Sequence, residues 1–128
     1  MPFSLRWEAG GVVKHHYGHL TGSELVAGAV AVSSDPRYDR LRYIINDFRA
    51  VTSDDISLSD IEHYASLRIG AALSNRNVLS PFVATSEPGL SVARMLQQPT
   101  YRNDHPVEIF PDLDSAQAWL AQEGQADK

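Results

Sequence analysis

Residues 41–48 read LRYIINDF, and this short stretch decides the fold class. Its centre, Tyr43, Ile44 and Ile45, is uninterrupted apolar sequence. A strand with one face in water alternates apolar and polar side chains, whereas a strand covered on both faces does not. The stretch therefore predicts a central strand of a mostly parallel sheet. Asp47 falls at the predicted C-terminal end of that strand.

The sequence before this strand predicts a β-hairpin and then a helix. Residues 3–8 alternate between apolar and polar side chains, and residues 12–17 are again typical of a strand, with a glycine turn between the two. We expect Gly18 to end the second strand. Thr21 and Glu24 have the spacing of a capping box, which predicts the start of a helix that ends near residues 33–36.

The sequence after the central strand alternates helices with strands. Strands are predicted at residues 82–85 and 107–110, and a helix is predicted to run from residue 59 to about residue 74. The candidate caps of the three later helices are Ser59 with Glu62, Ser86 or Glu87 before Pro88, and Asp112 or Asp114. The order ββαβαβαβα predicts an α/β fold, with a mainly parallel five-stranded sheet, an N-terminal hairpin and helical cover.

Length and composition place the chain among single globular domains. Its 128 residues suit one domain over residues 1–128, with a core at about residues 3–121. The absence of cysteine excludes a disulfide framework and a thiolate metal site. No apolar run approaches the roughly 20 residues of a membrane span. The first five residues lack the basic and apolar regions of a signal peptide, so we expect a cytoplasmic protein.

The net charge of −5 is distributed unevenly along the chain. Four arginines and two aspartates lie between residues 36 and 49. Between residues 50 and 67 there are four acidic residues and no Lys or Arg: Asp54, Asp55, Asp60 and Glu62. A sequence pI near 5.4 argues against a general nucleic-acid binder, because phosphate binding needs a basic face.

Two sets of residues are candidates for a site. Thr52, Ser53 and Ser57 lie beside Asp55 in a predicted loop, and these hydroxyls suit either phosphorylation or helix capping. Asp47 at a strand end would face the end of the next strand at Thr85 and Ser86, where α/β proteins place their sites. An enzyme using Asp47 is therefore one hypothesis, although no histidine can be placed there and no nucleophile elbow, GxGxxG or P-loop occurs.

The histidines do not predict a metal site. His15 and His16 are adjacent on a predicted strand and point to opposite faces, so they cannot both bind one ion without distortion. We expect these two and His19 to be ordinary surface or edge-strand histidines, and no cofactor is predicted.

The landmarks of the chain resemble one family. The segments that carry the likeness are YGHLTG at residues 17–22, YIINDF at 43–48, ARM at 93–95, PVEIF at 106–110 and the Ala116, Trp119 and Leu120 of the last helix. This pattern, over about residues 3–121, resembles the SpoIIAA-like family of the STAS fold, which is named for sulfate transporters and anti-sigma-factor antagonists.

The resemblance implies a non-catalytic regulatory or protein-interaction module. In the antagonists, a phosphorylatable Ser begins a helix after a segment that runs from one Asp to another. Asp47 and Asp55 look like those two aspartates, but the next residue here is Ile56, and Ser57 follows one position later. Because the family members are regulatory modules, the resemblance also implies a protein partner, with a homodimer as one form of it.

Lipid-binding domains of the Sec14 type have a similar fold, which adds the hypothesis of a carrier or sensor for a small apolar ligand. The side chains that would line its pocket are Trp7, Tyr17, Tyr64, Phe82, Met95 and Trp119. The alternative is that the same side chains simply pack the core.

Overall fold

The computed structural model describes residues 3–97 and 107–126, and the predicted order of elements is confirmed within them. In chain order the elements are β1 Phe3–Glu8, β2 Gly11–Thr21, α1 Gly22–Ser33, β3 Tyr43–Asp55, α2 Leu58–Ser74, β4 Phe82–Val83, α3 Gly89–Leu96, β5 Ile109–Phe110 and α4 Leu113–Ala126. A short 3-10 helix, Pro36–Arg40, lies between α1 and β3. The sequence also predicts that Pro99 marks the end of the third helix, and it contains a further histidine at His105; both residues lie outside the described residues.

The five strands form one mixed sheet in the order β1-β2-β3-β4-β5. β1 pairs with β2 in the antiparallel direction through a tight turn in which Gly10 has a φ of 78°. The other three pairs, β2–β3, β3–β4 and β4–β5, are parallel. The prediction of a mainly parallel sheet that begins with a hairpin is therefore confirmed.

The helices cover the sheet on both faces. Because each strand from β2 to β5 is added on the same side of its predecessor, right-handed crossovers place α1, α2 and α3 on one face. Gly28 of α1 lies against His16, and Gly89 of α3 lies against Phe48. The side chains of His16 and Phe48 therefore point to the face that these helices cover. α4 packs on the opposite face, where a core cluster is formed by Val13, Ile45, Val83, Ala116 and Leu120.

The central strand is longer than the sequence predicts. We expected it to end at Phe48 and a loop to follow, but β3 continues to Asp55 and pairs with residues 17–21 of β2. β2 also continues through Gly18, which has a φ of 71°. β3 contains two more residues than β2 along this pairing, one at each of two register shifts, so the bulged strand is β3 and Gly18 lies on the strand opposite.

Two of the four helix caps, those of α1 and α4, are the ones expected from the sequence, whereas the N-cap of α3 is Pro88, which makes no side-chain cap hydrogen bond. Thr21 Oγ1 accepts a hydrogen bond from the Glu24 N–H, and Asp112 Oδ1 accepts one from the Ser115 N–H. Glu87 Oε2 accepts from the Ser91 N–H in the first turn of α3. The capping box of α2, which was predicted at Ser59, lies two residues earlier, at Ser57. No helix in the described part of the chain has both the length and the apolar character needed to cross a bilayer.

Candidate functional site

The ends of β2 and β3 form a two-stranded ribbon that extends past the other strands. β1 pairs with β2 only as far as His16, and β4 pairs with β3 only at Asn46 and Asp47. Residues 17–21 and 50–55 therefore pair only with each other among the described strands, and we call them the β2–β3 ribbon. Leu20 and Val51 bury one side of it in the core under the helices, and most other ribbon side chains are exposed.

The predicted regulatory residues lie on this ribbon and just beyond it. Thr52, Ser53 and Asp55 are exposed side chains of β3, so they belong to a strand and not to a loop. The Ser53 hydroxyl is hydrogen-bonded to His19 Nδ1 across the ribbon, at 2.7 Å. Ser57 is exposed and follows two residues after the ribbon ends.

Ser57 is the N-cap of α2. Its hydroxyl oxygen accepts a hydrogen bond from the Asp60 N–H at 3.1 Å, and the Asp60 carboxylate accepts one from the Ser57 N–H at 2.9 Å. This reciprocal capping box uses Ser57 and Asp60, whereas the sequence predicted Ser59 and Glu62. The hydroxyl of Ser57 therefore sits at the positive end of a 17-residue helix.

Exposed acidic side chains and one exposed apolar side chain flank that cap in the sequence. Asp54 and Asp55 end β3, and Glu62 lies one turn into α2; all three are exposed. Leu58, the first residue of α2, is 58% exposed. We call Asp54, Asp55, Leu58 and Glu62 the acidic face.

Asp47 does not lie at a strand end. It is buried within β3, and both carboxylate oxygens are bound by side chains. Arg49 donates to both oxygens at 3.0 Å, and His15 Nδ1 lies 3.0 Å from Oδ2. Burial alone would raise the pKa of Asp47, but hydrogen bonds from the Arg49 side chain and backbone, the Arg49 charge and the His15 contact together lower it.

His15 is a contact that sequence reasoning missed. It lies opposite Asp47 in the parallel register of β2 and β3, and its side chain is partly exposed. The available signal was the alternation of β2, which places His15 on the face away from His16, but the register between two distant strands is not readable from sequence. Chemically, Asp47 fixes the orientation of the His15 ring, and Arg49 neutralises the carboxylate.

Thr85 and Ser86 follow β4 and are exposed. Asp47 pairs in register with Val83, the last residue of β4, so these two residues lie beyond the level of Asp47 along the sheet. In the structure, the region of the expected crevice therefore consists of the buried Asp47, which is paired with Arg49, and the exposed residues Thr85 and Ser86.

The described histidines do not converge on one point. His16 is fully buried against Phe3 and Phe48, on the face opposite His15, and both of its ring nitrogens lack a hydrogen-bond partner. Burial and the charge of Lys14 lower the pKa of His16 to about 3. The charge of Asp47 raises this pKa but offsets only part of the shift. Within residues 3–97 and 107–126, no three His, Asp or Glu side chains are grouped as metal ligands.

A cavity of about 50 Å³ lies between α1, α2 and the sheet. Tyr64 lines it, as the hypothesis of a ligand pocket predicted. The other aromatic and sulfur side chains of that prediction are elsewhere: Phe82, Met95 and Trp119 pack in the core clusters, Trp7 packs under Arg37, and Tyr17 is exposed. Lys14 also lines the cavity, and the sequence alone did not identify it as a site residue.

Two solved structures match nearly the whole chain. One is described as the anti-sigma factor antagonist SpoIIAA in its unphosphorylated form; it has a TM-score of 0.60 and 12% identity, over 94% of this chain and 97% of that one. The chain has the SpoIIAA-like fold. The second is described as an uncharacterized protein of the DUF3478 family with a SpoIIAA-like fold, from Shewanella loihica PV-4; it has a TM-score of 0.54 and 14% identity, over 92% and 91% of the two chains.

The SpoIIAA-like fold, also called the STAS fold, confirms the fold that the resemblance in the sequence predicted. No protein-family model matches the chain, and no curated protein matches it either.

Proposed function

We propose that this chain is a non-catalytic regulatory module that binds a protein partner through its acidic face. One solved protein with this fold is described as the anti-sigma factor antagonist SpoIIAA in its unphosphorylated form. From that description we take only the class of function, which is regulation through another protein. The acidic face is the part of this chain that suits such contact.

The observation that carries the proposal is the exposure of Leu58. A large apolar side chain that is 58% exposed is not needed for the core, and its removal from water contributes roughly 25 cal/mol per Å² buried. Protein interfaces typically place such a side chain at the centre and polar groups at the rim. The carboxylates of Asp54, Asp55 and Glu62 supply that rim.

The charge of the acidic face specifies the chemistry of the partner. Between residues 50 and 67 the chain has four carboxylates and no Lys or Arg. A complementary partner presents Lys or Arg side chains around an apolar pocket for Leu58. Electrostatic complementarity of this kind speeds association and makes it sensitive to salt, because exposed charges are screened over about 8 Å at physiological ionic strength.

The hydroxyls beside this face are the sites at which we propose regulation. Ser57 is exposed at the start of α2, and Thr52 and Ser53 lie on the adjoining ribbon with Asp55. A phosphoryl group on any of them adds a charge of about −1.5 to −2. The charge of the acidic face, and with it the affinity for a basic partner, changes in a single step. In this proposal Asp47 holds β2 and β3 together behind the ribbon.

The test compares two leucines of the same helix. Leu58 and Leu73 lie at opposite ends of α2 and are 58% and 59% exposed. The tagged chain and its Leu58→Gln and Leu73→Gln variants are purified from cells of the source organism, and the co-purifying proteins are quantified by mass spectrometry at low and high salt. We expect one protein to be retained by the unaltered chain and by Leu73→Gln, and to fall at least about tenfold with Leu58→Gln and with high salt.

Capture of a protein does not by itself support the proposal; the difference between the two variants does. Equal retention by Leu58→Gln and Leu73→Gln would contradict it. Sedimentation of the three purified chains addresses the homodimer. Self-association that is lost only with Leu58→Gln would make a second copy the partner, with the arginines of residues 36–49 as the basic side.

A further inference from the structure

We propose that the cavity beneath α1 and α2 binds a small carboxylate with a short apolar body, and that Lys14 and Tyr64 hold its carboxylate group. This site is distinct from the acidic face. It is lined by the middle and C-terminal part of α2, whereas Leu58 lies at the N-terminal end of that helix.

Lys14 is a buried cation that has no carboxylate partner among residues 3–97 and 107–126. It is only 3% exposed on β2. Its hydrogen bond within the described residues is to the Tyr64 hydroxyl at a long 3.4 Å, and its ammonium lies 5.4 Å from the centre of the same ring. Burying an unpaired charge is costly, so a protein that retains one in a cavity normally has an anion or water to meet it.

The free hydrogen-bond donors of this pair converge on the cavity. An ammonium has three N–H donors, and Tyr64 takes one of them. The Tyr64 hydroxyl accepts that bond and still has its own proton to donate. Two N–H groups and one O–H group are therefore available to the two oxygens of a carboxylate.

Arg68 adds a second cation to the same cavity. It lines the cavity from α2, and its guanidinium carbon lies 5.1 Å from the centre of the Phe82 ring, so it is directed inward. No Asp or Glu is among the lining residues. The neighbouring His16, whose pKa is near 3, adds no charge at neutral pH. Among the described lining residues the cavity is thus positive and has no internal counter-ion.

The size and lining of the cavity define the ligand. A water molecule needs about 10–15 Å³ of such space, so 50 Å³ holds about three to five atoms of that size, which suits one carboxylate group. The remaining lining is mainly aliphatic: Ala29, Val32, Ile44, Leu67, Ala71, Ala72 and Val78. These side chains suit a short hydrocarbon body attached to the carboxylate.

The test uses butyrate and its neutral analogue butyramide as probes. Each is titrated into the ¹⁵N-labelled chain at constant ionic strength, and amide shifts and the Tm are followed. We expect saturable shifts at Lys14, Tyr64 and Arg68 with butyrate, together with a higher Tm, since a ligand that binds only the folded state stabilises it. Butyramide should give neither response.

Three variants assign the response to the proposed groups. Lys14→Met keeps the apolar stem and removes the charge, so we expect a chain with a Tm equal to or above that of the unaltered protein and at least about tenfold weaker butyrate binding. Tyr64→Phe should weaken binding less and leave the fold intact. Arg40→Met, which removes an exposed charge away from the cavity, should bind butyrate as the unaltered chain does.

The proposal is overturned if butyramide shifts the same amides as butyrate, or if Lys14→Met binds butyrate unchanged. Saturable binding of inorganic phosphate without a response to butyrate would overturn the assignment to a carboxylate. Loss of binding in Arg40→Met as well as in Lys14→Met would show a general charge effect and would also overturn it.

Discussion

His16 is a polar residue in an apolar setting. Its ring lies 5.7 Å from the centre of the Phe3 ring and 5.1 Å from that of Phe48, and neither nitrogen has a hydrogen-bond partner. Lys14 and Asp47 are the charges that act on it most, in opposite directions. Because burial dominates, the ring resists protonation in the folded chain, while the unfolded chain protonates at the ordinary value near 6.5.

This residue gives the stability of the protein a pH dependence. The pKa of His16 is lower in the folded state, so the unfolded state binds more protons as the pH falls. Stability is complete above about pH 6.5 and falls below it until the folded pKa of about 3. We expect the free energy of unfolding to fall by about 2 kcal/mol between pH 7 and pH 5 from this residue.

Urea unfolding of the unaltered chain and of His16→Leu at the two pH values measures this contribution. His16→Leu should lose that part of the pH dependence, and His63→Leu, a change at an exposed histidine of α2, should retain it. An identical pH dependence in all three chains would show that His16 is not the group responsible.

At the residue scale, the sequence shows which side chains are present but not which of them are in contact in the folded chain. The alternation of β2 correctly separated His15 from His16, because side chains of a strand alternate between faces. It did not indicate that His15 meets Asp47, since that contact depends on the register of two strands about 30 residues apart. The burial of Lys14 was equally hidden, because lysine is almost never fully buried.

At the scale of elements, β3 shows where local pattern stops being sufficient. Its first half is apolar and was predicted, whereas residues 49–55 are mostly exposed and polar and resemble a loop. Pairing with β2 extends the strand, and strand propensity depends on such partners more than on the segment itself. The candidate hydroxyls were therefore identified as residues, but their place on a ribbon was not.

The start of α2 provides a test at this scale. Ser57→Ala removes the side chain that accepts from the Asp60 N–H, and we expect it to cost about 1 kcal/mol of stability. Ser59→Ala alters a residue inside the first turn and should change stability by no more than about 0.5 kcal/mol. Urea unfolding of both variants decides between the two capping boxes, and a larger loss with Ser59→Ala would favour the one predicted from sequence.

At the scale of the whole molecule, the topology follows from a few rules. The alternation of strands and helices, with right-handed crossovers that always advance in one direction, produces a sequential sheet with three helices on one face. This fold was predictable because the apolar patterns and caps recur along the whole chain. The two proposed sites lie on different parts of α2: along the helix axis Leu58 is about 9 Å from Tyr64 and about 15 Å from Arg68.

We propose that a partner protein contacts the acidic face. Site-specific photo-crosslinking in living cells tests this contact. A photoreactive phenylalanine analogue replaces Leu58 in one chain and Leu73 in another, and the cells are irradiated. We expect a discrete adduct of higher mass from position 58, weakened by Asp54→Asn together with Asp55→Asn, and no such adduct from position 73. The absence of an adduct at position 58, or the same adduct from both positions, would contradict it.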